Sequence, residues 1–307
     1  MSARILVIRL GALGDMVLSL GPFAAIRKAH AGARITLLTT APYAGFMGDS
    51  PYFDEIWTDE RPKLLRPRSW LALRRRLRSG NFDFVYDLQT SDRSNWYYRL
   101  MGPGPRPPWS GIAAGCSHPH RNPRRDFMHT IDRQAEQLGD AGIDPVPAAD
   151  LSWCSADVAR FGLDDPYVLL VPGGAAHRPD KRWPVDSFAA LARDLAARGV
   201  QPVVLGGAQE RDLAARICAL CPGARDLTGD TGFAQIAALA RNAAGAVGND
   251  TGPMHLVAAA GCPALILFSA ASDPALTQPR GPAVSVLESE NLADLAVPDV
   301  AAALSLR

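Results

Sequence analysis

The chain has 307 residues, 48% of them apolar and 21% charged, which suffices for two domains that each bury a core. Its 32 Lys and Arg stand against 31 Asp and Glu, a balance that excludes a polybasic nucleic-acid binder and an acidic disordered chain. Five cysteines, an odd number in so long a chain, exclude a disulfide scaffold and point to a reducing compartment.

Arg4 and Arg9 bracket the apolar run Ile5–Ile8, which is too short for the core of a signal peptide and reads as a strand. The loop Gly11-Ala-Leu-Gly14-Asp15 follows, then a helical stretch to about Lys28 and a second strand at Ile35–Leu38. Strand, glycine loop, helix and strand make a βαβ unit, and strands apolar throughout indicate a parallel sheet covered on both faces. From Arg61 to Arg78 there are eight basic residues and no acidic one. Within that run Trp70, Leu73 and Leu77 share one helical face beside Arg74, Arg75, Arg76 and Arg78. Such a helix suits an anionic membrane surface, and equally a plain solvated surface. Phe82–Asp87 is a further strand, and the Pro-, Gly- and Arg-rich stretch 102–125 reads mostly as loop.

Ser155–Pro166 reads as the link between halves, giving domains 1–158 and 159–307, with a C-terminal tail expected to return to the first. Residues 1–150 carry 20 basic and 15 acidic side chains (+5), residues 151–307 carry 12 and 16 (−4), so the halves should meet different partners. The second half alternates strictly: strand Tyr167–Val171, helix Pro184–Arg198 stopped by Gly199, strand Pro202–Leu205, helices Glu210–Leu220 and Phe233–Ala243, strand Gly245–Val247, helix Pro253–Ala260, strand Ala264–Phe268. That rhythm is a doubly wound α/β domain. The stretch Thr251–Ser272 has no Asp, Glu, Lys or Arg, but Pro253, Gly261, Pro263 and His255 interrupt it, so a helix, a turn and a buried strand explain it better than a membrane span.

Four segments where a strand gives way to a helix could carry chemistry. Arg9-Leu-Gly-Ala-Leu-Gly14-Asp15 pairs glycines that permit close backbone approach with a carboxylate that could also just cap a helix. Its G-x-x-G spacing is not the dinucleotide fingerprint. Val171-Pro-Gly173-Gly174-Ala-Ala-His177 leads to Lys181-Arg182. Lys181 is one of only three lysines beside 29 arginines, and a compact ammonium suits a phosphate. Gly206-Gly207-Ala-Gln-Glu210 offers a carboxylate for ribose hydroxyls, or a first-turn helix Glu. Gly248-Asn-Asp250-Thr251-Gly252-Pro253-Met-His255 crowds an acid, a hydroxyl and an imidazole around a helix start whose first residue reads as Pro253. Cys218-Ala-Leu-Cys221 lacks a second pair for zinc, and Cys116-Ser-His118-Pro-His120 reads as a surface loop.

The combination resembles glycosyltransferase family 9, the ADP-heptose:lipopolysaccharide heptosyltransferases, over Ile5 to about Gly281. The resemblance implies a GT-B fold: two Rossmann-like, doubly wound parallel-sheet domains facing a central cleft. It implies inverting transfer of a heptose or related sugar from an ADP-sugar to the lipid A–core, an anionic glycolipid, at the cytoplasmic face of the inner membrane, with peripheral attachment and no nucleic acid. Asp15 matches the family's general base and Lys181 its pyrophosphate-binding lysine. Gly173, Gly174, Arg182, Gly207, Glu210, Asp250, Thr251, Gly252 and His255 fall with Lys181 on the donor side, and Arg9, Gly14, Arg61 and Lys63 on the acceptor side. Metal and cofactor are not required if Lys181 and a helix N-terminus neutralise the leaving group. The chain departs from relatives in having no Ser or Thr among the four residues after Pro172, and in reading Phe268-Ser-Ala-Ala-Ser-Asp273 where Phe-Gly-Pro-Thr-Asp is common. A nucleotide-sugar epimerase and a catalytically idle binding module are the competing readings; a dinucleotide oxidoreductase lacks its fingerprint.

Overall fold

The computed structural model describes residues 2–63, 65–174 and 178–307. The chain divides into two compact units, Met1–Ala149 and Asp150–Arg307. The first contains β1 (Arg4–Ile8), α1 (Leu13–Leu18), α2 (Leu20–Ala29), β2 (Arg34–Thr39), α3 (Ala41–Gly48), β3 (Glu55–Thr58), α4 (Pro67–Ser79), β4 (Phe84–Asp87), α5 (Asp92–Leu100), β5 (Trp109–Gly111), β6 (His118–Pro119) and α6 (Thr130–Gly139). The second contains β7 (Tyr167–Val171), α7 (Val185–Ala197), β8 (Gln201–Val204), α8 (Arg211–Leu220), β9 (Arg225–Asp226), α9 (Phe233–Asn242), β10 (Gly245–Asn249), α10 (Gly252–Ala259), β11 (Ala264–Ser269), α11 (Pro274–Thr277), β12 (Val284–Ser289) and α12 (Val297–Ala303).

Among the described residues each unit holds one six-stranded sheet, ordered β3-β2-β1-β4-β5-β6 and β12-β11-β10-β7-β8-β9. Every pairing is parallel. The central strands β1, β7 and β11 are buried almost throughout, as two covered faces require. In each sheet the strand order reverses beside the first strand of the unit, between β1 and β4 and between β7 and β10. Open α/β sheets bind ligands outside the strand ends at that reversal. The loops that leave β1, β7 and β10 therefore stand where the sequence motifs are.

Some elements differ from the sequence reading. The first helical stretch is two helices, because Pro22 has no N–H to give to the Leu18 carbonyl and Ser19 turns between them. The stretch 102–125 contains β5 and β6, too short to leave a pattern, although Trp109 is fully buried. β12 was not expected; it lies at the sheet edge and carries Glu288, so it shows no apolar run. Gly252, not Pro253, is the first residue of α10. The boundary between units falls at 149/150, because Leu151 is buried and its carbonyl accepts from Arg241 in the second unit. The C-terminal tail makes contacts within the second unit. α12 packs on α7 and β12, and the Arg307 guanidinium donates to the carbonyls of Ala240 and Ala243.

Candidate active site

In the first unit the turn from β1 into α1 holds Asp15 by both carboxylate oxygens. Oδ1 receives Nη2 of Arg9 at 2.8 Å, and Oδ2 accepts the Ala12 N–H at 3.0 Å. The Asp15 side chain nevertheless stays 38% exposed, while that of Arg9 is 3% exposed. Capping and presentation to solvent are thus combined in one carboxylate. Arg9 is itself fixed, since Nη1 donates to the Leu88 carbonyl at 2.6 Å. The backbone of the turn is pinned by Gln89, whose Oε1 accepts the Leu10 N–H at 2.8 Å. Gly11 has φ +115°, and a Cβ there would overlap the Tyr43 ring, so only glycine lets Tyr43 close over the turn. Burial raises the Tyr43 phenol, with the Asp15 charge adding to the effect and Arg61 opposing it. Gly14 is buried inside α1.

Arg61 also reaches this turn. Its Nη2 donates to the Leu10 carbonyl at 3.4 Å, and its backbone, at φ +49°, is held by a 2.8 Å bond from its N–H to Asp59 Oδ1. Asp59 is buried and accepts the Tyr97 hydroxyl. A left-handed non-glycine residue persists only where its surroundings over-determine it, and this pair supplies the constraint. Lys63 is exposed; its carbonyl accepts the Trp70 indole N–H at 3.1 Å, and among the described residues no hydrogen bond or ion pair ties its ammonium to the Asp15 turn.

Sequence reasoning missed two parts of this region. Asp87, at the end of β4, is fully buried and accepts the N–H groups of Gln89 and Thr90; burial pushes its carboxyl up to about 6, and Arg9 pulls the other way. A cavity of about 380 Å³ is lined by residues 112–116 with His120, Arg121 and Arg125. Arg133 on α6 is held below the usual guanidinium range by burial and then by Arg125 and Arg9. Arg133 thus feels the charges of both Arg9 and Asp15.

In the second unit Lys181 Nζ lies 2.7 Å from Asp250 Oδ2, and their side chains are 13% and 9% exposed. The other members hold loops. Asn249, fully buried, accepts the Trp183 N–H at 2.9 Å and donates to the carbonyls of Pro172 (2.9 Å) and Gly173 (3.2 Å). It was not singled out in the sequence, yet it ties the β7 loop to the β10 loop. Arg182 folds back to donate to the Gly174 carbonyl. Glu210 is buried, accepts the Gly207 N–H at 2.7 Å and lies against Gly173, where a Cβ would come within 2.9 Å of its Cγ. Thr251 is the N-cap of α10 without using its side chain to cap, Gly252 opens the helix, and His255 is buried within it. Gly248 permits the close approach of β10 to β7: a Cβ would stand 2.7 Å from that of Val171. Ala175, Ala176 and His177 lie outside the described residues.

The divergent segment after Phe268 forms, with residues 288–290, a cavity of about 610 Å³. Asp273 there caps α11 through the Ala275 N–H at 2.8 Å. Among the described residues no three His, Cys, Asp or Glu side chains come together as a metal site, the five cysteines are free thiols, and no helix is long and apolar enough to cross a membrane.

Residues 70–299 match the family model described as glycosyltransferase family 9 (heptosyltransferase). The chain belongs to glycosyltransferase family 9. It is 26% identical over 288 residues to lipopolysaccharide heptosyltransferase 1 of Pseudomonas aeruginosa, covering 86% of this chain and 78% of that protein. A family 9 glycosyl transferase from Veillonella parvula superposes with a TM-score of 0.85 at 22% identity, covering 99% of this chain and 97% of the other. The Escherichia coli ADP-heptose lps heptosyltransferase II gives 0.78 at 23% identity over 97% and 96%. This family 9 glycosyltransferase thus has the GT-B architecture of two Rossmann-like α/β units. The family match begins at Trp70, so the Asp15 turn lies outside it, and its role rests on its own geometry.

Proposed function

We propose that this glycosyltransferase moves a heptose or related sugar from an ADP-sugar to an inner-core lipopolysaccharide acceptor at the cytoplasmic face of the inner membrane, with inversion. The observation that carries this reading is the state of Asp15: both oxygens are aimed by fixed donors, yet the carboxylate remains open to solvent. An acceptor hydroxyl that hydrogen-bonds to it loses its proton to Asp15 as the hydroxyl oxygen attacks the anomeric carbon. The bond from that carbon to the diphosphate oxygen breaks, the electron pair leaves with ADP, and a single displacement inverts the centre. Lys181 and the positive end of the α10 dipole meet the charge that develops on the diphosphate. Asp250 keeps the Lys181 ammonium in place. Glu210, bound to the Gly207 N–H through one oxygen, is the candidate for the ribose. No cofactor is needed for these steps.

The test is a thermal-shift titration with ADP, UDP, GDP and NAD⁺. A ligand at 100 times its Kd adds about 2.7 kcal/mol to the stability. Selective stabilisation by ADP, lost in Lys181→Ala, is the expected outcome. Preference for UDP would move the epimerase reading ahead, and no response to any nucleotide would favour an idle binding module.

A further inference from the structure

On α4 the side chains of Leu73 and Leu77 enter the core of the first unit and Trp70 packs against it. The opposite side carries Arg68, Leu71 and Arg75, spaced three and four apart and therefore aligned on one stripe. Leu71 is 44% exposed, and Leu65, just before the helix, is 94% exposed. The neighbouring α5 carries Trp96, 50% exposed, with the Arg99 guanidinium 5.0 Å above its ring. The two helices cover the same face of the sheet, because both right-handed crossovers run in the same direction along it. They are joined by Arg93 over the Trp70 ring and by Arg74 donating to the Gly102 carbonyl at 2.8 Å.

Several of the arginines are already engaged. Arg76 lies over Trp57 and donates to the Thr58 carbonyl, and Arg78 donates to Pro103. Arg66, Arg68 and Arg75 are exposed, and their guanidinium groups make no ion pair or hydrogen bond among the described residues. No acid from 61 to 78 compensates them. A nucleic acid would satisfy those cations but leave Leu65, Leu71 and the indole in water. An anionic bilayer satisfies both, with phosphates for the arginines and the headgroup–acyl boundary for the apolar tips.

We propose that the α4–α5 face of the first unit docks on an anionic lipid bilayer, through Arg66, Arg68 and Arg75 to headgroups and through Leu65, Leu71 and Trp96 into the interface. This deepens the functional reading by giving a physical basis for attachment where a lipid-linked acceptor would be met, and it does not depend on which sugar is transferred. The experiment is co-sedimentation of the full chain with phosphatidylcholine vesicles containing about one third phosphatidylglycerol, and with phosphatidylcholine alone. Binding to the anionic vesicles only, released at about 0.5 M salt, is expected. Arg68→Glu/Arg75→Glu should lower partitioning at least about tenfold, and Leu65→Asp/Leu71→Asp should lower it as well. Both variants should keep wild-type transfer to a delipidated, water-soluble acceptor, which also reports that they fold. Equal binding to both vesicles, unchanged binding by either variant, or binding to a single-stranded RNA without binding to vesicles would overturn the proposal. Absence of transfer by the wild type to the soluble acceptor would count against the functional reading alone.

Discussion

In the first unit the proposed base is an anion left 38% exposed on a buried cation, Asp15 on Arg9. In the second unit cation and anion cover each other, Lys181 and Asp250 at 13% and 9% exposure. Both sites stand at the same topological position, yet their charges are arranged oppositely. A base must meet a hydroxyl directly, and the open, merely aimed carboxylate of Asp15 suits the role proposed for it. A lysine with the phosphate-binding role proposed for Lys181 must be kept at one place without its ligand, and a buried partner does that while cancelling its charge. The difference teaches that Arg9 and Asp250 serve their partners by position, and that removing either half of a pair should have unequal consequences in the two units.

The largest effect should come from Asp15→Asn, which can keep the bond from Ala12 and removes the proposed base. Turnover should fall by about 10²–10⁴ while the ADP-induced thermal shift is retained. Undiminished turnover would make Asp15 only a helix cap and dissolve the contrast between the units.

Lys181→Ala leaves Asp250 buried without its cation, and about 3 kcal/mol of stability should go with it. Adding Asp250→Ala should return most of that stability, measured by urea unfolding, without returning ADP binding. If the double variant regained ADP binding, Lys181 would be the partner of Asp250 and not of the diphosphate.

A smaller effect is expected at Asp87, where burial raises the carboxyl from 3.8 to about 6. Between about pH 4 and 6 the folded chain keeps a proton that the unfolded chain has released, so this group lowers stability as pH rises through that window. Asp87→Asn removes the dependence. Relative to wild type the variant should gain on the order of 2–3 kcal/mol on going from pH 4 to pH 6.5 and no more above it. Unfolding curves at the two pH values check this, and a constant difference would mean that Asp87 ionises like an exposed carboxylate.

Much of the fold was legible along the chain because continuous apolar runs, such as Tyr167–Val171 and Ala264–Ser269, coincide with strands buried on both faces. Gly199 marks the end of α7 with φ +77°. Legibility failed where elements are short or at an edge, as in β5, β6 and β12, since two or three residues carry no period. At the candidate site, Asp15, Lys181, Glu210 and Asp250 stand out by residue type where strands give way to helices. Asn249, Asp59, Tyr97 and Asp87 do not, because their roles lie in bonds to loops and in burial.

The sequence by itself determined the alternation of strands and helices, the glycine turns at the strand ends and the family to which they belong, since these depend on local period and on residue type. Only the tertiary structure decided which charges meet. Lys181 and Asp250 are 69 residues apart and face each other because β7 and β10 are neighbours in the sheet. Arg9 and Leu88 are 79 apart and meet because β4 lies beside β1. Strand order is a property of the packed sheet and leaves no local signature, so the partners of each catalytic candidate became visible only in the folded chain.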